Sequence, residues 1–155
     1  MKRILVVCTA NVCRSPMIAA LLRNRFVRAG LGDRVHIASS GIYALVGEPA
    51  DPAGVRLLAE RGIDLSGHRA TALDEEELRL ADLILVSEEA HRQAIFYRSP
   101  QALHKVWLLT ELNRGDGDLP DPYGEGEQAY VRVLAQIDAV LDEGWPRLLR
   151  KLDLA

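Results

Sequence analysis

The segment that decides how this chain folds is Val6-Val7-Cys8-Thr9-Ala10-Asn11-Val12-Cys13-Arg14-Ser15-Pro16. The apolar, β-branched run at residues 4–7 predicts a strand that ends at Cys8. Ser15 and Pro16 are typical of a helix N-cap followed by a first-turn proline. The segment therefore predicts a strand, a short loop and a helix, with a cysteine at the end of the strand.

The loop between this strand and this helix is suited to hold an anion. Backbone N–H groups and the positive end of the helix dipole converge there. Arg14 adds a planar fork of donors that matches two phosphate oxygens. The same field favours the thiolate form of Cys8, which is the nucleophilic form. In the alternative interpretation Cys8 is an ordinary buried residue and Arg14 a surface charge, but the order of strand, cysteine, loop, arginine and helix favours an anion site with a nucleophile.

Length and composition limit the fold and the function classes. With 155 residues, of which 48% are hydrophobic, the chain suits a single domain over residues 1–155. The net charge of −3 argues against a nucleic-acid partner, because binding to phosphate backbones needs a surplus of lysine and arginine. No apolar run reaches the ~18 residues of a membrane span, and the first apolar run is too short for a signal-peptide core. We therefore expect a cytoplasmic protein with no membrane partner.

Cys8 and Cys13 are the two cysteines of the chain, and both lie in the loop. This count excludes a disulfide framework and a multi-cysteine zinc site, and it fits a reducing compartment. Cys13 has two interpretations. It closes a reversible disulfide with an oxidised Cys8, or it is a small packing residue of the loop.

Strand and helix patterns alternate along the rest of the chain. Strands are predicted at residues 35–39, 82–86 and 105–109, and helices at 16–29, 52–62, 75–80, 88–97 and from 127 onward. Gly144-Trp145-Pro146 is expected to interrupt the last helix. The alternation predicts a single-domain, three-layer α/β/α fold with a doubly wound, four-stranded parallel sheet and the phosphate-binding loop after its first strand. Ligands bind beyond the carboxyl ends of the strands in such sheets, which is where Cys8 is expected.

Cys8 and Arg14 together indicate phosphoryl-transfer chemistry. A thiolate among phosphate-oxygen donors is placed to attack a phosphoryl group and form a cysteinyl-phosphate, which water then hydrolyses. The loop amides and Arg14 would stabilise the charge on the equatorial oxygens. This chemistry requires no metal and no cofactor. It does require an acid for the leaving atom and then a base for the incoming water.

The acid is expected in the polar loop at residues 113–126, which contains Asp116, Asp118 and Asp121. Asp121 is the best candidate, because a proline on each side stiffens the chain around it. The alternative is a turn aspartate whose carboxylate accepts a hydrogen bond from its own backbone. With an activated thiol already inferred, the acid is the favoured interpretation.

These motifs resemble those of the low-molecular-weight protein phosphatases, and the resemblance covers nearly the whole chain. Besides residues 8–16 it includes Ser39-Ser40-Gly41, Asp64-Leu65-Ser66-Gly67-His68, Ala81-Asp82-Leu83-Ile84-Leu85 and Asp121-Pro122-Tyr123. The resemblance implies that Cys8 is the nucleophile, that Arg14 binds the phosphate and the transition state, and that Asp121 acts first as acid and then as base.

The resemblance also implies roles for the residues around the nucleophile. Asn11, bonded to Ser39 and His68, would hold the loop in shape, which suits asparagine because it tolerates left-handed backbone geometry. The Ser15 hydroxyl would stabilise the thiolate. The phosphate-binding loop would comprise Thr9, Ala10, Asn11, Val12, Cys13 and Ser15, and the substrate rim Tyr43, Leu45 and Tyr123.

The sequence gives a divided signal about the substrate. The short segment at residues 42–45 and the single rim aromatic, Tyr123, resemble the bacterial protein-arginine phosphatases. Val12 argues the other way, since arginine phosphatases carry threonine at this position and the valine methyl groups suit an aromatic ring. We therefore expect a protein-tyrosine phosphatase that acts on phosphorylated proteins or peptides as a monomer or weak dimer, with protein-arginine phosphatase as the alternative.

Two other functions are less favoured. An arsenate reductase of this fold would need further cysteines to pass a disulfide outward, and the chain has none beyond Cys13. A carrier or binding module that holds phosphate on Cys8 without turnover has no need of a positioned acid, so Asp121 counts against it.

Overall fold

Strands and helices alternate in the computed structural model, which describes residues 1–155. The strands are β1 (Lys2–Cys8), β2 (Val35–Gly41), β3 (Leu83–Val86) and β4 (Val106–Leu108). The helices are α1 (Arg14–Arg28), α2 (Pro52–Ala59), α3 (Glu75–Leu80), α4 (Glu89–Arg98) and α5 (Glu127–Lys151), with short 3₁₀ turns at Gly32–Arg34, Pro100–Lys105 and Leu109–Asn113. None of these helices combines the length and the apolar character that crossing a bilayer requires.

The four strands form one parallel sheet in the order β2-β1-β3-β4. Strand β2 pairs with one edge of β1, and the chain then crosses over to form β3 on the other edge of β1. The carboxyl end of β1 therefore lies where the strand order reverses, which is the usual ligand position in doubly wound sheets. Cys8 is the last residue of β1. The predicted sheet, its winding and the position of the cysteine are confirmed.

The sheet lies between two helical layers, because β1 is buried on both faces. Ile4 and Val6 face a core formed with α1 and α5, whereas Leu5 and Val7 face a second core that includes Leu78 of α3 and Ile95 of α4. All four β1 side chains are at most 3% exposed. A strand covered on both faces reads as a continuous apolar run, as residues 4–7 do.

Helix α5 runs without interruption through its Gly-Trp-Pro sequence, so the predicted break there is wrong. Pro146 does remove one backbone donor from the helix. Tertiary packing compensates for this loss. The ring of Trp145 packs on Phe26 with ring centroids 4.7 Å apart, and Gly144 lies directly against Leu112.

We expect Gly144→Ala to destabilise the protein by about 1–2 kcal/mol. A Cβ at Gly144 would lie 2.7 Å from the Cβ and 2.8 Å from the carbonyl carbon of Leu112. Alanine has a higher helix propensity than glycine, which stabilises the helix by up to about 1 kcal/mol. Overpacking against a fixed neighbour destabilises the protein by roughly 1–3 kcal/mol, which is the larger effect. Urea unfolding measures the difference. The matched control is Gly54→Ala in α2, where the atom nearest to the new Cβ is the sulfur of the flexible Met17 side chain, at 3.1 Å, and no backbone atom is that close. A Gly144→Ala protein as stable as this control would contradict the prediction.

Candidate active site

The loop after β1 brings the Ser15 hydroxyl to the Cys8 sulfur. Helix α1 begins at Arg14 with Cys13 as its N-cap, so the predicted cap at Ser15 is wrong. Ser15 Oγ instead lies 2.9 Å from Cys8 Sγ. The same oxygen accepts a hydrogen bond from Asn11 Nδ2 at 2.8 Å, which leaves the Ser15 hydroxyl hydrogen free to donate to the sulfur. The Ser15 hydroxyl is therefore positioned as a donor to the Cys8 sulfur.

Asn11 is the central support of the loop. It is fully buried and has a φ of 62°, the left-handed geometry that asparagine tolerates. Its Nδ2 also donates to Ser39 Oγ at 3.0 Å, and its Oδ1 accepts from the Thr71 amide at 2.9 Å. His68 Nε2 donates to the Asn11 carbonyl oxygen at 2.7 Å. Burial lowers the pKa of His68, which keeps this ring neutral and suits it to a supporting contact.

The chain that follows β2 braces the loop from the side. Three backbone hydrogen bonds connect them, from the amides of Ile42, Tyr43 and Leu45 to the carbonyl oxygens of Cys8, Thr9 and Ala10, at 3.0, 2.9 and 3.1 Å respectively. A Cβ on Gly41 would lie 2.7 Å from the Thr9 carbonyl oxygen, so this close approach requires glycine. The loop and the predicted rim segment therefore form one rigid unit.

Arg14 is 1% exposed and held by acceptors on two sides, so its interpretation as a surface charge is wrong. Its Nη1 lies 2.6 Å from Glu88 Oε2 and donates to the Leu119 carbonyl oxygen at 2.8 Å. Its Nη2 lies 3.6 Å from Asp121 Oδ2. Its buried Nε has no acceptor within the protein. Nε and Nη2 thus remain available as a pair of donors for two phosphate oxygens.

A pocket of about 210 Å³ opens at the carboxyl end of β1. Its walls are formed by Cys8, Thr9, Ala10, Val12, Cys13, Arg14, Leu45, Asp121 and Tyr123. The predicted rim residues Leu45 and Tyr123 therefore line the pocket, 47% and 58% exposed. The third predicted rim residue, Tyr43, is 79% exposed and is not part of the pocket wall.

Asp121 is the one carboxylate of the pocket wall. Its Oδ1 accepts from the Tyr123 amide at 3.1 Å, which is the turn contact of the alternative interpretation, while its Oδ2 faces Arg14. Asp118 Oδ1 accepts instead from the Glu89 amide at 2.7 Å, at the start of α4. Of the three candidate acids, the structure thus brings Asp121 to the cysteine.

The family model of the low molecular weight phosphotyrosine protein phosphatases matches the chain over residues 3–153. The chain belongs to this family. The phosphatase is 42% identical over 147 residues to the probable low molecular weight protein-tyrosine-phosphatase EpsP of Ralstonia solanacearum, covering 95% of this chain and 96% of that one. It is 35% identical over 151 residues to the protein-arginine-phosphatase of Geobacillus stearothermophilus, covering 97% and 95%. Its fold matches the crystal structure of a YwlE mutant from Bacillus subtilis with a TM-score of 0.88 at 32% identity, covering 97% and 99%.

Cys13 of the phosphatase is a packing residue in this structure. Both cysteines are free thiols, and Cys13 Sγ lies 3.0 Å from the Tyr130 hydroxyl. Burial raises the pKa of Cys13 to about 12, so its thiol stays protonated at neutral pH. The contact supports the packing interpretation, and the reversible disulfide with Cys8 stays a prediction.

Two site residues were missed by reasoning from the sequence, Glu88 and His91. Glu88 pairs with Arg14, and His91 Nε2 lies 2.9 Å from Thr9 Oγ1. Glu88 directly follows Ser87 at the end of β3, the strand that neighbours β1. The carboxyl ends of parallel strands lie at the same edge of a sheet. The position of Glu88 just after a predicted strand could therefore have indicated that it lies near Cys8.

Proposed function

We propose that this phosphatase hydrolyses phosphotyrosine in proteins or peptides through a cysteinyl-phosphate on Cys8. The observation that carries the proposal is the pocket, in which a thiol, two free guanidinium donors and one carboxylate face each other. A phosphoryl group held by Arg14 and the loop amides would lie directly against the sulfur. No other carboxylate of the wall competes with Asp121 for the role of acid.

In the first step the Cys8 thiolate attacks phosphorus. The S–P bond forms, the bond between phosphorus and the tyrosine oxygen breaks, and Asp121 gives its proton to the leaving phenolate oxygen. Arg14 and the loop amides stabilise the charge on the non-bridging oxygens during the transfer. Ser15 Oγ, 2.9 Å from the sulfur, stabilises the thiolate before attack and again when it leaves.

In the second step water attacks the cysteinyl-phosphate. The Asp121 carboxylate, now without its proton, takes a proton from this water. The P–O bond to the water oxygen forms and the S–P bond breaks, which releases inorganic phosphate and restores the Cys8 thiolate. The cycle consumes one water and requires no metal or cofactor.

The pocket walls favour an aromatic substrate. Val12 is 6% exposed and presents only methyl groups, and Leu45 and Tyr123 add apolar surface at the mouth. A phosphoarginine side chain would place its guanidinium N–H groups against these methyl groups without acceptors, which costs free energy. A tyrosine ring has no N–H groups to satisfy, so the same contact leaves no hydrogen-bond donor unpaired.

The experiment compares kcat/KM on two peptides of one sequence, carrying either phosphotyrosine or phosphoarginine. We expect the phosphotyrosine peptide to be preferred by about 10-fold or more, the effect of one or two unpaired polar groups. Val12→Thr adds a hydroxyl at nearly constant volume and should shift the ratio toward phosphoarginine. A wild-type enzyme that prefers phosphoarginine would overturn the tyrosine assignment in favour of a protein-arginine phosphatase.

The two less favoured functions lack support at the site. Cys13, the one thiol available to accept a disulfide, is buried and its pKa is raised to about 12 by that burial, which suits it poorly to the thiol exchange of an arsenate reductase. A carrier without turnover would not need Asp121 to line the pocket.

The free thiols fit a reducing cytosol, where we place the protein.

A further inference from the structure

The contact between His91 and Thr9 has a defined direction. His91 lies in the first turn of α4 and is 4% exposed. Its Nδ1 is 3.2 Å from the Glu88 amide nitrogen, the reciprocal contact of a helix capping box. A backbone amide can only donate, so Nδ1 is the acceptor and carries no hydrogen. The ring hydrogen is therefore on Nε2, and Nε2 donates to Thr9 Oγ1 at 2.9 Å.

His91 stays in this neutral form at physiological pH. Burial is the main cause that lowers its pKa, and the Arg14 charge lowers it further, against the opposing effects of Glu88, Asp118 and Asp121. A neutral ring is needed for the arrangement, because a protonated Nδ1 would no longer accept from the Glu88 amide.

The direction of this bond determines what the Thr9 hydroxyl can do. Its oxygen accepts from His91, and this is the one hydrogen bond that Thr9 Oγ1 makes within the protein. The hydroxyl hydrogen therefore remains free to donate. Thr9 follows Cys8 directly and lines the pocket together with Arg14. A hydroxyl that is free to donate, on a residue that lines the pocket with Arg14, is matched to an anionic oxygen of a ligand.

We propose that Thr9 is a further phosphoryl-binding residue, whose hydroxyl donates to an oxygen of the bound phosphoryl group, and that His91 is the positioning residue that orients it. The inference rests on the proposed phosphatase function and adds a side-chain donor to the loop amides and Arg14. Nothing in the sequence assigned a role to this threonine side chain beyond its place in the loop.

The test measures binding of inorganic phosphate by calorimetry, which needs no turnover. Thr9→Val removes the hydroxyl at nearly constant volume and should weaken phosphate binding about 10-fold or more, as expected for a hydrogen bond to a charged group. Thr9→Ser keeps the hydroxyl and should stay within about 3-fold of wild type. Thermal unfolding shows whether each variant is folded. A folded Thr9→Val protein that binds phosphate as tightly as wild type overturns the proposal.

The role of His91 is tested by a second set of variants. His91→Leu removes the donor and should weaken phosphate binding, whereas His91→Gln places an amide N–H near Nε2 and should restore most of it. The exposed His36 supplies the matched control, His36→Leu, which should leave phosphate binding unchanged. Nitrogen-15 NMR of the histidine rings should identify the Nε2–H tautomer for His91. The Nδ1–H tautomer, or phosphate binding in His91→Leu equal to wild type, contradicts the positioning role.

These outcomes separate the inference from the function it rests on. A wild-type protein that cleaves no phosphorylated peptide would overturn the proposed function, and the phosphate titrations would still decide the role of Thr9. Wild-type turnover together with undiminished phosphate binding in Thr9→Val would overturn only the role of Thr9.

Discussion

Cys8→Ser is expected to lower kcat by on the order of 10⁴ to 10⁶-fold, the loss seen when a hydrolase loses its nucleophile. A serine hydroxyl is far less ionised than a thiol at neutral pH. The hydrogen-bond partner of the Cys8 sulfur, Ser15 Oγ at 2.9 Å, accepts from Asn11 and is oriented to donate, so it does not serve as a base for this hydroxyl. The measurement is steady-state turnover of a phosphotyrosine peptide, with rapid-quench analysis for a covalent phosphoryl adduct.

The same variant should keep the phosphate pocket. Serine is smaller than cysteine, and its oxygen accepts a hydrogen bond better than a thiol sulfur does, so the loop around Asn11 and the donors of Arg14 stay in place. Calorimetry should show inorganic phosphate bound within about 10-fold of wild type, and thermal unfolding should show a folded protein. Turnover close to wild type in Cys8→Ser would exclude a cysteinyl-phosphate, and loss of both turnover and phosphate binding would indicate a collapsed loop instead.

Much of this site follows from the order of residues near one strand. Once a strand ends at Cys8 and a helix begins five or six residues later, the backbone must turn and its amides must converge. The arginine and the cysteine are then brought together by local geometry alone. The supporting role of Asn11 came instead from the family resemblance, and its left-handed backbone is consistent with that role.

The residues that were missed depend on contacts between distant elements. Glu88 reaches Arg14 because β3 lies next to β1, and strand order is not readable from the pattern of any single strand. His91 reaches Thr9 because α4 starts at that same edge. The uninterrupted helix α5 has a similar cause, since packing of Trp145 and Gly144 on other elements outweighs the local effect of Pro146.

Asp121 was predictable as the acid only in part. Its flanking prolines indicated a rigid position, but the same sequence also predicted a plain turn aspartate. The structure shows the turn contact, in which Oδ1 accepts from the Tyr123 amide, and it places Oδ2 3.6 Å from Arg14 Nη2, while the role of acid stays a prediction. A carboxylate with one oxygen fixed in the turn and the other beside Arg14 is held in one orientation at the pocket wall.

Asp121→Asn should therefore lower kcat on phosphotyrosine by roughly 10²–10⁴-fold, the usual contribution of a general acid. Asparagine keeps the oxygen that accepts from the Tyr123 amide, so the turn survives and only the transferable proton is lost. The loss in kcat/KM, which reports the steps up to departure of the phenol and not the later attack of water, should be smaller for aryl phosphates whose leaving phenol is more acidic than tyrosine, because such phenolates leave without protonation. A series of substituted phenyl phosphates measures this dependence.

The matched control for that series is Asp118→Asn, the same change three residues earlier in the same loop. Asp118 is not part of the pocket wall, and its Oδ1 accepts from the Glu89 amide, a contact that an asparagine oxygen can keep. Turnover by the Asp118→Asn enzyme should stay within about 2-fold of wild type, since the substitution removes no transition-state contact. If Asp118→Asn were the slower variant, or if the leaving-group dependence of Asp121→Asn matched that of wild type, the proton would come from another group and the assignment of Asp121 would be wrong.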